Sequence, residues 1–159
     1  MMVLYVLFLL WRYNMTSKRE QILAKIKTNL TGTTGVGTRI YRSRVEPMTR
    51  VESPSLVVEF LSDEPTVNSA TYLKLDWTLR IRIIVIVRSS TPDTTADPTV
   101  ESLHTKIVSD PTLGGLAIDV RPSTVTFEAV DADQPAGVIF CDFEIDYRSS
   151  YDDLSQWIN

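Results

Sequence analysis

The chain has 159 residues, 43% hydrophobic and 23% charged, which is enough to bury one sizeable core. Its formal net charge of −4, with no basic run to offset it, argues against nucleic acid as the main partner. One cysteine, Cys141, precludes an intramolecular disulfide and is compatible with a reducing compartment; one histidine, His104, restricts any metal site to a set made mostly of carboxylates.

The first eleven residues, MMVLYVLFLLW, are apolar and Arg12 follows. A transmembrane helix needs about 20 apolar residues, so this run is too short. A secretory signal would need a basic start and a small-residue cleavage site, and neither is visible. MTSKREQIL, from Met15, opens like an ordinary soluble protein. Residues 1–14 are therefore expected to be an extension created by the choice of start codon, with 15–159 as a single domain. A short membrane or partner anchor is the competing reading. Ser17 and Glu20 have capping-box spacing, and Ile22, Leu23, Ile26 and Leu30 share one side of a helix over 17–30, which Thr31 and Gly32 end.

Residues 39–45 and 55–61 read as strands, separated by a loop with two prolines. Residues 62–71, SDEPTVNSAT, read as a polar loop. The next stretch, 72–88, is YLKLDWTLRIRIIVIVR. Its odd positions from Leu73 to Val87 are all apolar, whereas its even positions carry Lys74, Asp76, Thr78, Arg80, Arg82 and Arg88. Only an extended strand with one face on a core keeps a period of two this long. At about 3.3 Å per residue it spans roughly 50 Å, so it either bends or reaches past the body of its domain.

Residues 89–97 read as a turn-rich loop, with Asp97 as N-cap and Pro98 as the first position of a second helix over 98–109. Three strands, 117–121, 125–130 and 138–149, close the chain; residues 131–137 join the last two as a hairpin loop. This order predicts an α+β fold: a mostly antiparallel sheet with a long central strand and two helices packed on one face. The other face is charged apart from Ile84, Ile86 and Phe140. Burying those three requires a second cover, either the other helix or a neighbouring subunit.

A search for catalytic or ligand chemistry finds little. Gly32, Gly35 and Gly37 lack both the spacing and the following Lys-Ser/Thr of a phosphate loop. Asp131 and Asp133 begin like a calcium loop, but Pro135 occupies a ligand position. His104 follows Leu103 on a helix with no second ligand nearby. Cys141 alternates with apolar neighbours beside Asp142, a setting for a small buried hydrophobe rather than a reactive thiol. No catalytic, cofactor-binding or metal-ligating residues are assigned. Arg44, Arg80, Arg82 and Arg88, with Ile84, Ile86 and Phe140, are the candidate interface residues. The arginines serve either as gatekeepers against edge pairing or as contacts to an acidic partner. The C-terminal segment, with Tyr151, Leu154 and Trp157, is either a docking tail or a frayed end.

Four stretches, RIYRSRVEPMTRVESPSLVVEF, LRIRIIVIVRSSTPDTTADP, HTKIVSDPTLGGLAIDV and FEAVDADQPAGVIFCDFEIDYRS, together with the order of elements around them, resemble a phage family. The chain is similar, from Ser17 to Arg148, to the tail terminator (tail completion, minor tail U-like) proteins of long non-contractile-tailed phages and prophages. The resemblance implies a non-enzymatic virion protein at the head-proximal end of the tail, assembled in the host cytoplasm. It implies a homo-oligomeric ring, a hexamer, that caps the tail tube, stops addition of major tail tube protein and offers a surface to the head completion or connector protein. No cofactor, membrane or sequence-specific nucleic acid is implied. Residues 62–71 and 89–97 are the loops expected to face those partners. A head–tail connector or neck subunit is the nearest alternative. A small hydrolase or ligand-binding module, built on His104 with Asp97 or Asp110, is a third reading from another class.

Overall fold

Fifteen consecutive residue pairs, from Lys74 opposite Ser150 to Arg88 opposite Ala136, zip together the two longest strands among the described residues. The structure is a computed structural model and describes residues 16–44, 48–66, 73–130 and 135–156. The expectation for residues 1–14, the start of the long strand at Tyr72, Asp131 and Asp133, and Trp157 lie outside the described residues. The elements are α1 (Lys18–Asn29), β1 (Ile40–Arg42), a 3-10 turn (Arg50–Glu52), β2 (Ser55–Thr66), β3 (Lys74–Arg88), α2 (Pro92–Val108), β4 (Asp119–Val130) and β5 (Ala136–Ser150). The five strands form one sheet in the order β1-β2-β3-β5-β4, parallel between β1 and β2 and antiparallel elsewhere. The fold is α+β, as expected, with β3 at the centre.

Alternation along β3 decides the layers. Leu79, Ile81, Ile83, Val85 and Val87 are buried with Ile22, Leu23 and Ile26 of α1 and Leu103 and Ile107 of α2 in one core, so both helices cover the same face. On β5 the matching residues Ile139, Cys141, Phe143, Ile145 and Tyr147 complete that core.

Capping at α1 differs from the expected reciprocal box. Ser17 Oγ accepts from the Glu20 amide at 3.3 Å, but the Glu20 carboxylate accepts from the Arg42 guanidinium at 2.5 and 3.0 Å and so joins the helix to β1. Another first-turn amide, that of Lys18, donates to the Leu154 carbonyl at 2.8 Å. The C-terminal segment up to Gln156 is therefore folded back against the start of α1.

Three boundaries correct the sequence expectation. First, α2 begins at Pro92 after Thr91, and Pro98 lies inside it. Both prolines suit a first turn, but the one nearer β3 takes it. The missing amide of Pro98 is tolerated because Ala96, Thr99, Leu103 and Ile107 seat the helix on the core. Thr99 Oγ1 donates to the Thr34 carbonyl at 2.9 Å, and Ser102 Oγ accepts from the Thr34 amide at 3.1 Å. Most of 89–97 is thus helix rather than loop. Second, β2 runs through residue 66: Ser62, Asp63, Glu64, Pro65 and Thr66 stand opposite Arg80, Leu79, Thr78, Trp77 and Asp76. Polar composition hid a strand whose partner supplies the regular pattern; the rest of the expected loop, 67–71, lies outside the described residues. Third, the expected strands 117–121 and 125–130 are one strand, β4, with a register irregularity between Pro122 and Val125.

Gly137, at the start of β5, has no room for a side chain. A Cβ there would stand 2.5 Å from Cβ of Pro92 and 2.8 Å from Cε2 of Phe127. Gly137→Ala is expected to lower unfolding free energy by about 1–3 kcal/mol through overpacking, read by urea denaturation. An unchanged midpoint would show that the Pro92 and Phe127 contacts are loose.

Candidate assembly surface

The face of the sheet away from the helices is built by the even-numbered residues of β3 and β5. Antiparallel pairing puts Asp76 opposite Arg148, Thr78 opposite Asp146, Arg80 opposite Glu144 and Arg82 opposite Asp142. Each pair is bonded. Arg148 donates to both Asp76 oxygens at 2.5 and 3.1 Å; Arg82 donates to both Asp142 oxygens at 2.8 and 2.9 Å. Arg80 donates to Glu144 at 3.0 Å and to Glu64 of β2 at 2.8 Å. Thr78 donates to Asp146 at 3.0 Å, and Arg121 of β4 donates to the same carboxylate at 2.6 Å and to Asp119 at 2.9 Å. The Arg82 and Arg121 guanidiniums hold the Asp142 and Asp146 carboxyls below their ordinary values.

Every arginine singled out from the sequence is engaged within its own chain. Arg82 also lies over the Phe140 ring at 4.7 Å. Arg44 donates to both Glu52 oxygens at 2.6 and 3.2 Å and sits 4.4 Å over Tyr41. Those hydrogen bonds, with others from Thr49, hold the Glu52 carboxyl far below its ordinary range. The Arg88 side chain donates to the Met48 carbonyl at 3.2 Å, and its amide to Ser53 Oγ at 2.8 Å. Ile84, Ile86 and Phe140 are half-buried between these groups. Among the described residues no helix stands over them. The acids Asp142, Glu144 and Asp146 were missed as partners, although setting 74–88 against 136–150 in antiparallel register pairs each with its arginine or threonine.

Among the described residues, two sheet edges carry no further strand. Residues 121–130 of β4 are exposed on both faces, including Val125 (62%), Phe127 (45%) and Val130 (42%). On the opposite side, among the described residues, β1 pairs with Leu56, Val57 and Val58 of β2; beyond it Phe60 and Leu61 are 44% and 42% exposed at a bulge. Edge position depends on strand order, which no single-strand pattern carries.

One polar group lies deep on the helix side. Asp63 Oδ2 accepts from the Tyr147 hydroxyl at 2.7 Å, and Arg19 is 3.9 Å away, while Oδ1 is buried without a hydrogen-bond partner. Burial pushes the Asp63 carboxyl up, against the Tyr147 bond and the Arg19 charge, and also raises the Tyr147 hydroxyl. Tyr147 stacks on Trp77 with centroids 6.2 Å apart, and Trp77 Nε1 donates to Ser149 Oγ at 3.0 Å.

His104 is exposed on α2, its ring 6.4 Å from that of Phe143, and no hydrogen bond joins it to Asp97 or Asp110. Burial raises the Cys141 thiol to about 11. Among the described residues no cluster of His, Cys, Asp and Glu is placed to hold a metal ion. Among them no helix is long and apolar enough to cross a membrane.

No protein-family model and no curated protein matches the chain. Among solved structures it is similar to a chain described as "Virion of native gene transfer agent (GTA) particle", at 12% identity and a TM-score of 0.58. The match covers 80% of this chain and 94% of that one.

Since ionised Asp63 is the costly form, the folded chain binds its proton more tightly than the unfolded chain does. The stability this group costs is absent below its ordinary value of 3.8, grows as pH rises to the raised folded value, and is complete at neutral pH. Asp63→Asn keeps an acceptor for Tyr147. It is expected to be more stable than the parent at about pH 7, with the gap closing towards about pH 4 in urea titrations at both values.

Proposed function

We propose that this protein is a structural subunit of a phage-like virion and, within it, the tail terminator: a ring that caps the tail tube and presents the head-joining surface. The observation that carries the reading is the likeness of fold to a gene transfer agent virion chain, nearly all of which is matched. The narrower assignment rests on the resemblance of residues 39–60, 79–98, 104–120 and 127–149 to the terminator family. A stopper of this kind performs no chemistry. It needs a rigid body, a self-contact that closes, and faces shaped for the tube below and the head above. The charge-paired face of the sheet, with Arg44, Arg80, Arg82, Arg88, Ile84, Ile86 and Phe140, is the surface we assign to these partners. Because its charges are already bonded, complementarity there acts on specificity and encounter rate more than on affinity.

The full chain should behave as a closed oligomer of six copies in light scattering and appear as rings in negative stain. Added to polymerising tail tube subunits, it should arrest elongation. His104→Ala should leave arrest unchanged. A monomer with no effect on tube length, or loss of function on replacing His104, would overturn the proposal.

A further inference from the structure

The arginines of the sheet face are bonded within the chain, whereas charges on the two flanks of the helix layer are not. On α2, Asp93, Asp97 and Glu101 recur every four residues and are exposed. Among the described residues no ion pair or side-chain hydrogen bond engages any of them. Like charges at this spacing repel one another along a helix. Their flank is turned away from α1, because the α1 side of the same helix is taken by Thr99 and Ser102, which bond to Thr34. α2 itself lies towards β4, since Gly137 sits against both Pro92 of α2 and Phe127 of β4. The opposite side of the molecule, beyond β1, has the other sign. Glu20 turns to Arg42 of β1, and Lys27, two turns further along α1, is exposed on that same flank. Among the described residues no carboxylate engages Lys27. Arg39, just before β1, donates to the Pro54 and Gly35 carbonyls at 2.8 and 2.6 Å, which leaves its charge uncompensated. Beside Lys27 lies a recess of about 300 Å³, lined also by Thr31 and Thr38.

From this polarity we infer that the acidic flank of α2 in one copy docks on the Lys27 flank of the next. The inference rests on the ring reading above and names the surface that builds the ring. The occupant is a second copy of this chain because one molecule carries both halves of the contact, opposite in sign and on opposite sides of one sheet. Charge also selects the orientation. Two α2 flanks would set acids against acids, and two Lys27 flanks would set cations against cations; only the unlike pair attracts. The recess brings the Lys27 ammonium and two threonines to one place, a setting suited to a carboxylate. A contact between two different flanks is heterologous, so it repeats from copy to copy and makes a ring where its rotation closes.

The test reverses charge on one flank at a time in the full chain. Asp97→Lys with Glu101→Lys should weaken self-association at least about tenfold, and so should Lys27→Glu with Thr38→Glu. Each pair of changes sets like charges against each other wherever two identical copies meet. An equimolar mixture of the two proteins should assemble again, in alternating rings, because each altered flank then meets one of opposite sign. The unaltered chain gives a second reading that no folding defect can mimic: its association should weaken at least about threefold between about 50 mM and about 500 mM salt. Rings that form equally well in both variants, or that are indifferent to salt, would overturn the inference and leave the ring reading intact. Weakening in both variants without recovery in the mixture would overturn it too. A protein monomeric at all concentrations and with tail tubes present would overturn both readings.

Discussion

The pairing of β3 with β5 is the constraint on which the rest depends. Fifteen residue pairs without a slip leave no freedom in which side chains face which way, since a shift of one residue would exchange the two faces of both strands. One face then carries the aliphatic residues that α1 and α2 cover; the other carries an alternating row of arginines and acids. A one-residue slip of strands this long would turn the apolar residues outward and the charges onto the core. The interleaved charges act as a register key as much as a source of stability. The ion pairs contribute little individually, because Arg80 and Arg121 are 44% and 45% exposed and solvent screens such pairs.

The same arrangement explains why a face so rich in arginine is not a basic patch. Arg80, Arg82, Arg121 and Arg148 are each already bonded to a carboxylate on a neighbouring strand, Arg88 is bonded to the Met48 carbonyl, and β4 and β2 add Asp119 and Glu64 at the margins. Such a surface is polar, rigid and close to neutral. It can align with a partner whose charges are spaced to match, and it offers nothing to a generic polyanion. The apolar end of the same face, around Phe140, is partly screened by the Arg82 side chain, which covers the ring with its own planar group.

How much was legible in the sequence follows from where the information resides. The long strand, the helix after Ser17 and the hairpin ending the chain came from local periodicity, which a chain displays without its partners. The misplacements share one cause. Residues 62–66 look like loop because their strand character is supplied by β3, and 92–97 look like loop because threonine and aspartate are weak helix formers until packing on the core carries them. Two prolines six residues apart offered equivalent helix starts, and only tertiary contact chose between them. For the site, the arginines were visible one at a time, but their acids were not visible as partners without the register. The open edges were wholly hidden, because strand order is a property of the assembled sheet.

The last strand made is also an inner one. β5 lies between β3 and β4, and the segment after it supplies the carbonyl that receives the Lys18 amide at the other end of the chain. During synthesis, β3 and β4 emerge with no strand to join them, and the first turn of α1 waits for a cap that has yet to be translated. The sheet therefore closes only after β5 has been made. Truncation from the C-terminal end would remove the middle of the sheet rather than trim its rim.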